Sequence, residues 1–190
     1  MTRLFCLMLA VLLSLALVAC SDGDIADKGA ADDNAQQSAT FQDKTDVGEG
    51  CPSIQLTEID QNGYTDRTFD PTATGKITVI NFWAYWCPPC VGELPHFDQV
   101  AREMADEVDI VAIHCDTVES AQSFLAENYP NPSIRFAMDA TGKVFDYYSA
   151  LGGTGSIPYT VILDTRGVIC KTFVGAIDYA TLVAAIEACR

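Results

Sequence analysis

Ile77-Thr78-Val79-Ile80-Asn81-Phe82-Trp83-Ala84-Tyr85-Trp86-Cys87-Pro88-Pro89-Cys90 is the stretch on which the reading of the whole chain turns. Its first half, Ile77 to Trp83, is a short, nearly continuous apolar run rich in β-branched and aromatic residues, as in a strand buried on both faces. From Pro88 the pattern changes to helical spacing and holds through Met104. Two cysteines with two residues between them therefore sit at a strand-to-helix corner, Cys87 at the helix N-cap and Cys90 one turn further in. Unpaired backbone N–H groups and the helix dipole favour a thiolate at such a cap. Pro88 and Pro89 fit the first helical turn, where a missing N–H removes no intrahelical bond. The spacing lets Cys87 and Cys90 close a small disulfide ring, and the pattern points to redox chemistry. Half of a zinc site and a purely structural disulfide use the same residues. A four-ligand zinc site needs a second pair, however, and neither the other cysteines nor His96 and His114 show Cys-x-x-Cys or His-x₃-His spacing. No metal is expected.

Outward from this corner, strands and helices alternate. Upstream, Ile54 to Ile59 alternates apolar and polar residues, Gln61-Asn62-Gly63 is a turn signal, and Tyr64 to Phe69 returns as a hairpin. Downstream, Val108 to His114 reads as a second buried strand, followed by a helix over Glu119 to Asn128. A short strand, Ile134 to Met138, and a helix, Gly142 to Ala150, come next. Thr160 to Leu163 and Val168 to Gly175 form a hairpin across Asp164-Thr165-Arg166-Gly167, and Asp178 to Ala188 is a closing helix. Strand–helix–strand followed by strand–strand–helix predicts an α/β sandwich around a central mixed sheet flanked by helices.

The N-terminal part has a different composition. Met1-Thr2-Arg3 is a short positive start, and Leu4 to Val18 is apolar except for Ser14. That run is too short to span a hydrocarbon core of ~30 Å and reads as an export signal over residues 1–19. It ends Leu17-Val18-Ala19-Cys20, which resembles the bacterial lipobox; the resemblance implies cleavage before Cys20 and a diacylglycerol on its thiol. Residues 20–50 are acidic, small and almost free of large apolar side chains, so they read as a lipidated, disordered tether with a reach of about 30 Å. The globular domain is expected over residues 51–190.

The chain has 190 residues, of which 11 are Lys or Arg and 26 are Asp or Glu, for a net charge of −15. So acidic a chain, without a basic stripe, is not a nucleic-acid binder and does not adhere electrostatically to anionic lipid. Membrane attachment therefore falls to the lipid on Cys20. Eight cysteines point to an oxidising compartment or to redox work.

Asn81 to Cys90, followed by Glu93-Leu94-Pro95, resembles the membrane-anchored thioredoxin-like reductases of the TlpA, ResA and DsbE type. Phe136 to Asp139 is similar to that family's inserted central strand, and Gly155-Ser156-Ile157-Pro158-Tyr159-Thr160-Val161-Ile162-Leu163-Asp164 to its cis-proline segment. The resemblance covers about Cys51 to Arg190. It implies a thioredoxin-like fold with an N-terminal hairpin and a strand–helix insertion before the cis-proline. It also implies an extracytoplasmic thiol–disulfide oxidoreductase that reduces partner disulfides without a cofactor, as a monomer lipid-anchored to a bacterial membrane. Cys87 attacks and Cys90 resolves. Glu93 takes up the Cys90 proton, a role open to it because Asn81 stands where cytosolic thioredoxins place a buried aspartate. Read from the residues alone, Glu93 is equally a solvated helix-surface glutamate. Pro158 is expected to be cis and to face the dithiol, leaving the Ile157 backbone free to pair with an extended substrate segment. Trp86, Pro88, Pro89 and Ile157 make up the expected substrate contact. The partners implied are disulfide-bearing exported proteins, among them apocytochrome c or an exported methionine sulfoxide reductase, and a CcdA- or DsbD-like membrane electron donor.

In the sheet order implied by the resemblance, the strand ending near Cys115 lies three strands from the one holding Cys170, about 14 Å at ~4.8 Å per strand. Cys170 begins the last strand and Cys189 ends the helix that runs back along it, so a structural Cys170–Cys189 bridge is expected, with Cys51–Cys115 left over. Buried free thiols are the other reading. Three other functions compete. A peroxiredoxin-like thiol peroxidase would place a threonine where Ala84 stands. A copper-handling factor of the Sco type resembles Cys-x-x-x-Cys with a distal histidine, one residue longer than the spacing here. A non-catalytic surface lipoprotein would use Cys87–Cys90 as a staple only.

Overall fold

A computed structural model describes residues 40–41 and 53–190. The expected signal peptide, the lipidation site Cys20, most of the tether and Cys51 lie outside these residues. Among the described residues there are eight strands and four helices: β1 (Thr40–Phe41), β2 (Ile54–Asp60), β3 (Gly63–Phe69), β4 (Ile77–Trp83), α1 (Pro88–Glu103), β5 (Val108–His114), α2 (Val118–Asn128), β6 (Arg135–Met138), α3 (Lys143–Ala150), β7 (Tyr159–Leu163), β8 (Ile169–Val174) and α4 (Tyr179–Glu187). The strands run in the order β1-β2-β6-β5-β4-β7-β8, with β3 paired to β2. β4 is parallel to β5 and β5 to β6, whereas β7 is antiparallel to β4 and β8 to β7. The sheet is therefore mixed, and the strand carrying the cysteine corner is central. No described helix is long and apolar enough to cross a membrane.

β4 is central because every one of its seven residues is buried. Its odd-numbered apolar side chains, Ile77, Val79 and Trp83, join a core built with Leu94 and Phe97 of α1, Leu125 of α2 and Leu182 and Ile186 of α4. Ile80 and Phe82 point to the other face, against Val144 and Tyr148 of α3. The period-2 geometry of a strand thus divides one sequence run between two cores. α1 continues through Pro95, whose ring nitrogen cannot donate to the Val91 carbonyl.

The structure departs from the sequence reading at several ends. Thr40–Phe41 pairs with β2, inside the stretch expected to be an unstructured tether. α2 starts at Val118, one residue early, because the Thr117 hydroxyl caps it by accepting from the Ser120 N–H at 3.4 Å. α3 starts after Gly142, which stands in the left-handed region at φ 70° and serves as the N-cap. The expected alternation of β2 breaks at Glu58, which is buried where a polar residue should face solvent. It falls in the same alternating phase as the buried Ile54 and Leu56, and Arg67 Nε and Arg135 Nη1 each bond one of its oxygens at 2.7 Å. A buried carboxylate is tolerated only when paired in this way.

Candidate active site

β4 ends at Trp83, and the chain turns through Ala84-Tyr85-Trp86 into α1. The turn closes with the Cys87 N–H donating to the Ala84 carbonyl at 3.1 Å, and α1 opens with the Val91 N–H on the Cys87 carbonyl at 3.0 Å. Cys87 is the N-cap in an extended conformation, with Pro88 and Pro89 in the first turn. Cys87 and Cys90 form a disulfide with a Cα–Cα distance of 5.3 Å. Cys90 is fully buried, whereas Cys87 keeps 5% of its surface exposed, so a thiol from outside meets Cys87 first. The positive end of the α1 dipole lies at Cys87 and favours its thiolate.

Glu93 lies one turn after Cys90 on α1, and it points into the core rather than to solvent, at 2% exposure. Its Oε1 accepts from Asn81 Nδ2 of β4 at 2.8 Å, and its Oε2 from the Ile177 N–H at 2.9 Å. Asn81 also donates to Thr160 Oγ1 of β7 at 3.2 Å. Burial pushes the Glu93 carboxyl up to about 7, against the two hydrogen bonds that favour its charged form. A carboxyl with this affinity exchanges a proton near neutrality. Asn81, expected only as a residue unable to hold a proton, is thus the donor that orients the one that can.

The Ile157–Pro158 peptide bond is cis. Pro158 leads directly into β7, and its carbonyl accepts from the Gly175 N–H at 2.9 Å. Beside it, Trp86 is 56% exposed, with its indole N–H bonded to Asp116 Oδ2 at 2.8 Å. Trp86 and Ile157 line an open groove of about 580 Å³ together with Cys115, Asp116, Asp139 and Phe145. Trp83 is wholly buried, its ring 4.8 Å from that of His114.

Sequence reasoning weighed His114 only as a metal ligand and missed its place beside the cysteine corner. It is fully buried, its Nε2 accepts the Tyr85 N–H at 3.3 Å, and burial holds the imidazole neutral by pushing it down to about 4. It therefore ties the turn before Cys87 to the end of β5. Its only sequence signal was a histidine closing the apolar run Ile110 to Ile113.

Cys170 and Cys189 form a second disulfide, with a Cα–Cα distance of 5.9 Å, joining β8 to the end of α4. Cys115 is a free thiol among the described residues, and its leftover pairing with Cys51 falls on a residue outside them. Its sulfur packs back on its own strand, 3.7 Å from the Ile113 carbonyl. Burial, with Asp139 beside it, pushes this thiol up to about 12, so it is inert as a nucleophile. Among the described residues no group of three or more His, Cys, Asp or Glu side chains is arranged to hold a metal ion. Ala84 is fully buried and brings no hydroxyl to the corner, where a peroxidase would need one.

A model of the AhpC/TSA family matches residues 47–172. The chain is 34% identical to the thioredoxin-like protein YneN of Bacillus subtilis over 106 residues, 54% of this chain and 59% of that one. It is 30% identical over 132 residues to the thiol:disulfide interchange protein HelX of Rhodobacter capsulatus, covering 68% of each. The chain thus spans about three fifths to two thirds of these relatives' lengths. Among solved structures, a secreted Mycobacterium tuberculosis disulfide oxidoreductase homologous to DsbE superposes with a TM-score of 0.54 at 27% identity, over 70% of this chain and 96% of that one.

Proposed function

The chain belongs to the AhpC/TSA family, and from that membership and the geometry of the cysteine corner we propose that it is an extracytoplasmic thiol–disulfide oxidoreductase that reduces disulfides of partner proteins. In the reduced enzyme, the Cys87 thiolate attacks a partner disulfide, forming a mixed disulfide and releasing one partner thiolate. Cys90 passes its proton to Glu93 and attacks the Cys87 sulfur. The second partner thiol leaves, and the enzyme is left with the Cys87–Cys90 disulfide. Two electrons pass to the partner in each cycle; Glu93 hands the Cys90 proton on to the second partner sulfur as it leaves, and the first partner thiolate takes its proton from water. Pro158 and Ile157 present a backbone edge to the partner's extended segment, and Trp86, Pro88 and Pro89 form the surface it meets.

The observation that carries this reading is a carboxyl tuned to about 7, buried one helical turn behind the second cysteine. A structural disulfide has no use for a proton acceptor there, and burying one costs stability. The secreted relative supports placing the chain outside the cytoplasm. Residues 1–19 act as its export signal, Cys20 carries the lipid, and residues 20–50 tether the domain over residues 51–190. Outside the cytoplasm the spent disulfide needs an electron source, for which a CcdA- or DsbD-like membrane carrier is the fitting class. Oxidised exported proteins, apocytochrome c among them, are the fitting clients.

The deciding measurement is the reduction potential of the Cys87/Cys90 couple in the full chain, equilibrated against dithiothreitol or glutathione. A value near or below about −250 mV supports the reductase direction, and one near about −120 mV reverses it to oxidation of secreted thiols.

A further inference from the structure

We propose that the segment joining β8 to α4, Gly175 to Asp178, is the positioning element of the active site, and that the Cys170–Cys189 disulfide is the staple that holds it in place. The inference rests on the reading of Glu93 as the proton acceptor and adds what sets its position and affinity.

Two backbone donors of this segment reach the two residues on which the proposed chemistry depends. The Ile177 N–H bonds Glu93 Oε2 at 2.9 Å, and two residues earlier the Gly175 N–H bonds the carbonyl of Pro158 at 2.9 Å. Gly175 stands at φ 94°, a conformation that turns the chain out of β8 and toward the site. The segment belongs to no strand or helix, and its residues are half-buried or exposed. Its flanks are short. β8 pairs only with β7 at the end of the sheet order, and α4 has nine residues, short of the ~12–15 at which an isolated helix is even marginal in water. Leu182, Ala185 and Ile186 of α4 lie in the core and Ile177 packs against it, and further ties hold the ends of the arm. Asp178 caps α4 by accepting from the Thr181 N–H at 2.8 Å, Tyr179 donates its hydroxyl to Glu103 of α1 at 2.6 Å, and the disulfide joins the second residue of β8 to the residue two beyond α4.

The charge pattern leaves Glu93 dependent on this arm. Burial and the bonds from Ile177 and Asn81 are what set its affinity, with no charged neighbour contributing. Asn81 and Thr160 face it from the sheet and are neutral. The ionisable group of the arm, Asp178, is held down by its hydrogen bonds from Thr181 and by His96 of α1. Removing the Ile177 donor while the arm stays closed therefore raises the Glu93 affinity for its proton. Freeing the arm does the opposite, because water reaches the carboxyl and relieves the burial that dominates.

The test is the pH midpoint of Glu93, read by ¹³C carboxyl titration of the full-length oxidised protein and by the pH profile of mixed-disulfide resolution. Ile177→Pro deletes the donor and is expected to move the midpoint up by about one pH unit, a roughly tenfold change in proton affinity. Cys170→Ser with Cys189→Ser is expected to move it down by a comparable amount, with the far-ultraviolet dichroism retained. Ile177→Val keeps the N–H and should keep the midpoint. A folded staple variant with the wild-type midpoint overturns the staple's role, and it is the arm of the test that remains if Ile177→Pro does not fold. An unmoved midpoint in Ile177→Pro overturns the donor's role. Glu93→Gln separates the two readings. If it leaves the resolution profile unchanged, the proton-acceptor assignment itself fails; if it flattens the profile while the other variants shift nothing, only the positioning role fails.

Discussion

The two disulfides span similar distances, 5.3 and 5.9 Å between Cα atoms, and differ in nearly everything around them. Cys87 and Cys90 are three residues apart, at the start of a 16-residue helix, beside a buried carboxyl and an open groove. Cys170 and Cys189 are 19 residues apart, on an edge strand and a helix end, with Cys170 exposed. The sulfur–sulfur bond is the same chemical object in both. What differs is whether the surroundings can stabilise a thiolate and take up a proton, and only the first pair has both provisions.

That contrast is broken most severely at Cys87. Cys87→Ser should reduce turnover of a disulfide substrate by about 10³-fold or more, since no nucleophile remains, whereas Cys170→Ser with Cys189→Ser should leave Cys87 able to form a mixed disulfide. Trapping that species on a non-reducing gel distinguishes them. In stability the ranking reverses. Closing a loop as long as that between Cys170 and Cys189 constrains the unfolded chain by about 3 kcal/mol, against about 2 kcal/mol for the short Cys87–Cys90 loop. Denaturant unfolding of the two serine variants should show the larger loss for Cys170/Cys189.

Glu93→Gln sharpens the comparison, because it should slow mixed-disulfide resolution by about 10²-fold near neutrality, while removing the inflection near pH 7. The same variant should be more stable than the wild type. The folded-state affinity of Glu93 is raised, so its contribution to stability is full below the unfolded value of 4.5, is lost as pH rises to about 7, and stays unfavourable above that. The relief at pH 8 is about 2–3 kcal/mol, measurable by unfolding at pH 4 and pH 8. A stability gain confined to low pH would contradict the burial argument. Trp86→Ala is the smallest effect. It should raise KM for a protein substrate several-fold with kcat nearly unchanged, since an exposed indole contributes partner contact and no chemistry.

The strand and helix pattern was legible because periodicity survives in a single chain. The seven buried residues of β4, the helix from Pro88 and the turn at Asn62-Gly63 all carry local signals. Glu93 was legible through its position relative to Cys90, but its burial was not, since nothing in Val91 to Pro95 says which side of α1 faces the sheet until the fold is known. Ile177 was invisible for a deeper reason. It acts through a backbone N–H, which nearly every residue possesses, so no side-chain identity could announce it. The burial of Glu58 was hidden likewise, because its ion partners lie nine and 77 residues away. β1 is two residues in a polar tract, too short to leave a periodic trace.

The chain contains two tryptophans, both just ahead of the dithiol: Trp83 is sealed in the core that also holds Cys87 and Cys90, and Trp86 is exposed and adjacent to Cys87. A disulfide quenches the excited state of a neighbouring indole, and a dithiol does so far less. Reduction should therefore brighten the emission of the unlabelled protein. The protein thus carries its own optical gauge of oxidation state, and cycling of the Cys87–Cys90 pair can be followed by light alone.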